Sequence, residues 1–362
     1  MDNRGHAGFS VISEFIDRLV SVGRTNGAGL AIAVDGQPRF EHHAGLARAD
    51  LSGGPEVLWP VASISKLYTA AAIMRLIERG RLTLGMRVST VLPEFTGVGR
   101  DEISLRQLLT HTSGIPYESP RHVERLAAKT SLEELTDEVY ELELCFKPGT
   151  NQSYSDLGYA LAGRMAATVA GTPFQEIVRS EILEPAGLSN TFFPSPESEL
   201  VRTATVQGSP GIDPDTAMYS SAYALGLAHP AFGVVATLSD LLRFGLLFEP
   251  SSRTRIHSRI AVQAMTTDQT GGDFAAEDMV VPTGVIHAWG IGFMIKGRSG
   301  YPELVSSESY GHGGGSGCCL WIEPRHGVAI AFVSNRHYNS DPIDFMTRLD
   351  QAINVTMACL TR

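Results

Sequence analysis

The stretch Trp59-Pro-Val-Ala-Ser63-Ile-Ser-Lys66-Leu-Tyr-Thr-Ala-Ala-Ala-Ile-Met74 decides how this chain is organised, because a proline-led loop runs there into a long apolar helical pattern. Ser63 and Lys66 are three residues apart, and residues at that spacing share one face of a helix. A hydroxyl and an amine that can touch are what a serine nucleophile and its proton acceptor require. The pair therefore predicts an enzyme, although Ser-x-x-Lys is short enough to occur without a catalytic role.

The choice of lysine at position 66 supports a chemical role. Only 4 of the 29 basic residues are lysines, and this one lies on an apolar helical pattern. A guanidinium stays protonated, whereas burial can lower the pKa of an ammonium until the amine accepts a proton near neutral pH. If the helix begins near Ser63, the Ser63 N–H lacks an intrahelical partner and can donate to a developing oxyanion. Lys66 is therefore the candidate base, and Ser63 supplies the nucleophile and one oxyanion donor.

The composition is that of a globular protein with one large core or two closely packed lobes. The chain has 362 residues, of which 43% are hydrophobic and 19% are charged. A formal net charge of −10 argues against a nucleic-acid surface. No apolar segment is long enough to span a bilayer, and the N-terminus lacks the apolar region of a signal peptide. We expect a cytoplasmic protein by default, with a periplasmic or secreted location and the oligomeric state left open.

Neither the histidines nor the cysteines are spaced like metal ligands. The neighbours His42 and His43 would point to opposite sides of a strand, and the chain has no His-Glu-x-x-His motif. The cysteines match no metal or redox motif and are interpreted as buried apolar thiols: Cys145, Cys318, Cys319 and Cys359. We therefore expect no metal ion and no cofactor.

Short strand patterns near both ends of the chain predict an antiparallel sheet. Residues 30–34 and 39–44 flank a turn at Asp35-Gly36, and residues 318–323 and 327–333 form a second hairpin pattern. An amphipathic helix precedes the first hairpin, and a helix capped by Asp341 follows the second. The sheet should therefore carry helices from both ends of the chain.

The segment between these ends is mostly helical in pattern. Its candidate helices lie at 63–80, 104–111, 132–142, 156–170, 173–186 and 238–247. The predicted fold class is α+β, an α/β sandwich plus a helical lobe. Residues 1–60 and 246–362 form the sheet with its flanking helices, and residues 61–245 form the helical lobe. Segments 205–230 and 266–286 lack periodicity and are candidate loops beside the site.

Together with the Ser63 helix, four further stretches resemble the serine β-lactamase and penicillin-recognising hydrolase family. They are Leu108-Leu-Thr-His-Thr-Ser-Gly114, Lys147-Pro-Gly-Thr150 with Tyr154-Ser-Asp156-Leu-Gly-Tyr159, Phe232 to Asp240, and Gly311-His-Gly-Gly-Gly315. The resemblance covers nearly the whole chain and lies with the class C-like branch that includes family VIII esterases and D-aminopeptidases. It implies a β-lactamase/DD-peptidase-like fold, with the antiparallel sheet flanked by the N- and C-terminal helices. It also implies that the active site lies between this sheet and the helical lobe.

The resemblance also implies roles for individual residues. Tyr154 matches the tyrosine that carries a proton to the leaving group, and an adjacent ammonium would stabilise its anion, so Tyr154 and Lys66 should titrate as a coupled pair. The Gly315 N–H would be the second oxyanion donor. His312 would position the substrate or Tyr154, and Gly313 and Gly314 would let the substrate approach the strand closely. The alternative for this strand is a glycine-rich bend with a solvent-facing histidine.

This chain departs from the family pattern at Asp156, where asparagine is usual. An ionised carboxylate near Lys66 would favour the ammonium and would make Tyr154 the principal proton acceptor. It would also remove an amide donor that peptide-like substrates use. A carboxylate pointing into the cleft could instead bind a substrate ammonium. His111, in contrast, is interpreted as a structural histidine that fixes the end of a helix.

The predicted activity is that of a serine hydrolase acting through an acyl-enzyme on a small-molecule ester or amide. Ester hydrolysis is favoured, because an alkoxide leaving group needs less protonation than an amine. Amidase, D-aminopeptidase or β-lactamase activity is the alternative, and acyl transfer to an acceptor other than water stays open. A non-catalytic scaffold or binding protein of the same fold is the competing class, and labelling of Ser63 by an activated ester would distinguish the two.

Overall fold

The computed structural model describes residues 3–193, 197–208, 217–271, 288–297 and 302–360. The helices are α1 (Asn3–Ser21), α2 (Ser65–Glu78), α3 (Val88–Val91), α4 (Leu105–Leu109), α5 (His122–Ala127), α6 (Leu132–Asp137), α7 (Asp156–Ala170), α8 (Phe174–Val178), α9 (Glu184–Ala186), α10 (Ala222–Gly226), α11 (Leu238–Leu246), α12 (Arg259–Thr266) and α13 (Pro342–Leu360). The strands are β1 (Gly27–Val34), β2 (Gln37–Arg48), β3 (Leu51–Ser52), β4 (Trp59–Pro60), β5 (Thr191–Phe192), β6 (Val235–Ala236), β7 (Ala288–Trp289), β8 (Met294–Ile295), β9 (Tyr310–Gly314), β10 (Cys318–Glu323) and β11 (Val328–Ser334). No helix among these described residues has the length and apolar character needed to cross a membrane.

The main sheet is antiparallel, with the strand order β3-β2-β1-β11-β10-β9-β8-β7. The first hairpin turns at Asp35 and Gly36, whose φ angles of 51° and 72° are those of a tight turn that matches strand twist. β1 then pairs with β11, so that Ile32 lies opposite Ile330. The two ends of the chain therefore meet in the middle of one sheet, as the two hairpin patterns predicted.

Both faces of the sheet centre are covered, and the strand residues alternate between them. In β11, Val328, Ile330 and Phe332 belong to one hydrophobic cluster with residues of α1 and α13 on one face. The alternate residues, Ala329 and Ala331, face the core shared with the helical segment. Helix α11 packs on this second face against β1, β10 and β11. The predicted α+β class with terminal helices on the sheet is thus confirmed.

The segment between β3 and α12 is mostly helical and also contains a small sheet of strands β4, β6 and β5. The predicted helix at 156–170 coincides with α7, whose first turn is capped by the Ser155 side chain and whose last residue is followed by Gly171 at φ 69°. The prediction for 173–186 is also confirmed, because α8, a π-helical turn at Arg179–Leu183 and α9 follow one another without a break in the helical conformation. The proposed division at residues 61 and 245 stays a prediction.

Candidate active site

Ser63 lies in a tight 3₁₀ turn, Ala62–Ile64, that leads directly into α2. Ala62 has a φ of 48°, a left-handed conformation that costs a non-glycine residue about 1–3 kcal/mol and is found mostly at functional sites. The turn leaves Ser63 partly exposed while its neighbours on both sides are buried. The hydroxyl is thereby presented to an approaching substrate from a rigid support.

Lys66 is completely buried, and among the described residues three oxygen atoms lie close to its amine. Its Nζ lies 3.3 Å from Ser63 Oγ, 2.5 Å from Asp156 Oδ1 and 3.2 Å from the Ala231 carbonyl oxygen. An ionised carboxylate and a carbonyl can only accept hydrogen bonds, whereas a hydroxyl can also donate. A neutral amine can therefore donate to Asp156 and Ala231 and turn its lone pair towards the Ser63 hydroxyl.

Burial and the neighbouring carboxylate have opposite effects on Lys66. Burial lowers the pKa of the amine below its ordinary value, and the contact with Asp156 opposes part of that change. The net result is a lowered pKa of Lys66. The expectation from the sequence that Asp156 favours the ammonium is right about the direction of its effect, but burial outweighs that effect. Asp156 acts here as an orienting partner of Lys66, and its side chain does not contribute to the wall of the adjoining cavity.

Tyr154 adjoins the same pair but meets the lysine differently from the sequence-based expectation. Its hydroxyl interacts with Ser63, whereas Lys66 Nζ lies over the ring, 4.6 Å from its centroid. Removal from water, and then the Asp156 carboxylate, raise the pKa of the Tyr154 phenol well above its ordinary value. Tyr154 is therefore held as a protonated donor, because the carboxylate that was expected to make it the main proton acceptor disfavours its anion.

His111 packs against the ring of Tyr154. Its Nδ1 accepts the Ser155 N–H at 3.0 Å, and its ring stacks on Tyr154 with the centroids 4.3 Å apart. Burial lowers the pKa of His111 well below its ordinary value, so the ring is neutral. These contacts agree with a structural role, but the side chain holds Ser155 at the start of α7 and not the end of the preceding helix, as the sequence had indicated.

The glycines of β9 allow the strand to approach the nucleophile turn. A Cβ at Gly314 would lie 2.2 Å from the Val61 carbonyl oxygen, so any larger residue would push the strand away from Ser63. Gly315 follows directly, beyond the end of β9, and lines the same cavity as Ser63. His312 and Gly313 also line the cavity, and the His312 Nδ1–H donates to the Gly313 carbonyl oxygen at 2.6 Å. The structure thus brings both predicted oxyanion donors to one opening.

This opening is a cavity of about 410 Å³ in front of Ser63. Its wall is mostly aromatic and aliphatic and includes Tyr117, Met218, Tyr219, Trp289, Met294 and Leu349. Glu118 contributes a carboxylate to the wall. Met218 and Tyr219 belong to the predicted loop 205–230, of which 209–216 lie outside the described residues. The predicted loop 266–286 is described only as far as residue 271, and Trp289 follows it in the chain.

Sequence reasoning missed several residues of this cavity wall, including Glu118, Trp289 and His337. They come from separate loops and strands with no shared spacing, so no sequence pattern groups them. Of the aromatic residues around His111, only Tyr154 and Tyr159 lie in a stretch that the sequence had already singled out. Among the described residues, no group of three or more His, Cys, Asp or Glu side chains is arranged to hold a metal ion.

Comparison with known proteins agrees with this geometry. A family model described as Beta-lactamase matches residues 12–353. Penicillin-binding protein 4 of Amycolatopsis lactamdurans is 27% identical over 333 residues, which cover 89% of this chain and 84% of that protein.

Solved structures are similar over nearly the full length of the chain. EstCE1, described as a hydrolase with promiscuous acyltransferase activity, superposes with a TM-score of 0.77 at 19% identity and covers 97% of this chain and 98% of its own. The D-amino acid amidase from Ochrobactrum anthropi SV3 has a TM-score of 0.75 at 20% identity, with the same coverage of 97% and 98%. At these identities, the structural likeness establishes the fold.

Proposed function

The chain belongs to the beta-lactamase family and is a serine hydrolase, and from this premise we propose that it hydrolyses small carboxylic esters through an acyl-enzyme formed on Ser63. The observation that carries the proposal is the contact between Ser63 Oγ and a buried amine whose other two neighbours are acceptor oxygens. That arrangement aims the amine at the hydroxyl proton. It is the geometry required of a nucleophile, its base and the group that orients the base.

One proton is transferred in each half of the proposed reaction, acylation and deacylation. Ser63 Oγ attacks the ester carbonyl while its proton passes to Lys66, and the N–H groups of Ser63 and Gly315 bind the oxyanion. Lys66 then passes this proton to the departing alkoxide, which Tyr154, held in its protonated form, stabilises by donating a hydrogen bond. Water then attacks the acyl-enzyme with the same groups acting in reverse, which releases the carboxylic acid and frees Ser63.

Two features favour esters over lactams and peptides. Position 156 carries a carboxylate that is engaged by Lys66, so it offers no amide donor to a peptide-like substrate. The cavity wall carries Glu118, which would repel the carboxylate that penicillins, cephalosporins and peptide C-termini bring with them. An uncharged ester does not need that amide donor and carries no carboxylate that Glu118 would repel. The mostly apolar wall suits a small acyl chain.

Hydrolysis of amino-acid amides is the second candidate, because Glu118 on the cavity wall could pair with a substrate ammonium. The similar fold of the D-amino acid amidase is consistent with this alternative. Asp156 as the ammonium-binding group also stays a prediction, although its carboxylate contacts Lys66. Acyl transfer, the activity named for EstCE1, would use the same acyl-enzyme with another acceptor.

A substrate panel tests the preference. We expect kcat/KM for p-nitrophenyl butyrate to exceed that for amino-acid p-nitroanilides and for a chromogenic cephalosporin by about 100-fold or more, because the phenoxide leaves without protonation. Initial rates at equal enzyme concentration measure the three values. A cephalosporin or an anilide hydrolysed as fast as the ester would contradict the ester assignment while leaving the acyl-enzyme mechanism in place.

Changing Asp156 to asparagine is expected to move the acid limb of the kcat/KM pH profile to lower pH. The Asp156 carboxylate raises the pKa of Lys66 against the lowering caused by burial, so removing its charge lowers that pKa further. The acid limb should therefore move down by about 1–3 pH units, which is the effect expected when an opposite charge in direct contact is removed. The profile is measured with p-nitrophenyl butyrate, with released nitrophenol read at its isosbestic wavelength.

The other groups facing Lys66 should not titrate across this limb. Burial lowers the pKa values of His111 and His229 well below the ordinary value, and raises those of Tyr154 and Tyr159 well above it. The control is Asp156→Glu, which keeps the charge and should keep the limb near its wild-type position. A limb that stays in place in the asparagine variant would argue against Lys66 as the base.

A further inference from the structure

A second polar feature lies beside the proposed oxyanion donor Gly315. His337, in the segment that follows β11, and Tyr219, which precedes α10, both line the cavity and are each only 5% exposed. Their rings stack with the centroids 5.3 Å apart. Neither residue takes part in the reaction proposed above. Both side chains lie beside Gly315, whose N–H is proposed to bind the carbonyl oxygen of the substrate. They can therefore reach substrate atoms next to the carbonyl carbon.

The protonation state of His337 follows from its contacts. The Asn339 N–H donates to His337 Nδ1 at 3.0 Å, so that nitrogen is an acceptor and carries no hydrogen. Burial lowers the pKa of His337 to about 4, which makes the ring neutral near pH 7. The single ring proton is therefore on Nε2. His337 lines the cavity, so a substrate bound there can reach its ring.

Gly315 leaves room in front of that N–H. The point that a Cβ of residue 315 would occupy is 3.4 Å from His337 Nε2 and 3.6 Å from Tyr219 Oη. The glycine thus leaves a small niche, bounded by Gly315, Tyr219 and His337, that two hydrogen-bonding groups face. An acceptor oxygen placed in the niche would receive a hydrogen bond from this N–H, whereas a CH₂ group in the same place would leave the N–H without one.

We propose that this niche is a subsite for a hydrogen-bond acceptor oxygen in the acyl part of the substrate, such as an alkoxy, hydroxy or keto oxygen close to the scissile carbonyl. The proposal rests on the proposed function, in which the neighbouring Gly315 N–H binds the carbonyl oxygen. The niche would then adjoin the α and β positions of the acyl chain. The enzyme would accordingly prefer oxygenated acyl groups to plain alkyl ones.

The test compares two esters that differ only by exchange of one CH₂ group for oxygen, p-nitrophenyl methoxyacetate and p-nitrophenyl butyrate. The readout is the ratio of their kcat/KM values in the wild type and in His337→Phe, which keeps a planar ring but removes the donor. Comparing ratios cancels both the intrinsic reactivity of the esters and any general effect of the substitution. We expect the methoxyacetate-to-butyrate ratio to fall by about tenfold, the effect of one lost hydrogen bond.

Two further variants sharpen the result. His337→Gln restores an N–H donor and should recover part of the ratio, and Tyr219→Phe should lower it by a smaller factor. An unchanged ratio in His337→Phe would overturn the proposal, as would a change seen only when the oxygen is moved to the alcohol part, as in 2-methoxyethyl against butyl esters. If neither ester is hydrolysed and Ser63 is not acylated, the proposed function itself fails, which is a distinguishable outcome.

Discussion

Replacing Ser63 with alanine is expected to abolish acyl transfer, lowering kcat/KM for p-nitrophenyl butyrate by at least about 10⁴-fold. The side chain is partly exposed and lies in a turn whose backbone is held by its buried neighbours, so loss of the hydroxyl should leave the fold intact. Steady-state rates measure the loss. Circular dichroism and the melting temperature show whether the variant is folded.

Covalent labelling gives the same test without turnover. After treatment with a fluorophosphonate, intact-mass analysis should show one adduct on the wild type and none on Ser63→Ala. Ser65→Ala is the matched control, because Ser65 is buried and its hydroxyl accepts the Val234 N–H, away from the cavity. Equal labelling of wild type and Ser63→Ala would rule out Ser63 as the nucleophile, and no labelling of either would favour a scaffold.

Removing the amine of Lys66 should have the second-largest effect. In Lys66→Met the straight apolar chain fills the buried site, but nothing accepts the Ser63 proton, so we expect kcat/KM to fall by about 10²–10⁴-fold. Lys66→Arg keeps the positive charge and a partner for Asp156, yet a guanidinium does not release its proton. The arginine variant should therefore be as inactive as the methionine variant, as measured by single-turnover acylation rates.

The two variants distinguish a role of Lys66 as the proton acceptor from a role as a fixed positive charge. If Lys66→Arg retained most of the activity while Lys66→Met lost it, the residue would act only as a fixed charge and another group would take the proton. Methionine leaves the Asp156 carboxylate buried without its partner, which can destabilise the protein. A double variant, Lys66→Met with Asp156→Leu, removes that charge and should be equally inactive if the amine is the base.

Local signals explain why some elements were predictable. The bounds of α7 follow from a serine cap at one end and a glycine in a left-handed conformation at the other, and both signals are properties of single residues. The helical run from α8 to α9 was predictable, but the π-helical turn at Arg179–Leu183 within it was not, because that turn keeps an apolar pattern that an ordinary α-helix would also have.

Some details of the site were likewise predictable from the sequence, and others were not. The spacing of Ser63 and Lys66 predicted that their side chains meet, because three residues bring them to one face of a helical turn. The effect of Asp156 on Tyr154 was not predictable. It depends on whether Lys66 Nζ meets the phenol oxygen or the ring face, and the packing of α7 against α2 decides that. His337 was missed because its segment meets Gly315 only after β11 has paired in the sheet.

The sequence by itself determined the α+β class, the antiparallel sheet built from both chain ends, and a serine and a lysine within reach of each other. These follow from short-range periodicity and spacing, which act within a few residues. Only the tertiary structure decided the direction in which the buried amine is held, the protonated state of Tyr154, and the polar niche beside Gly315. Those properties depend on distances and burial among residues far apart in the chain, and packing alone sets them.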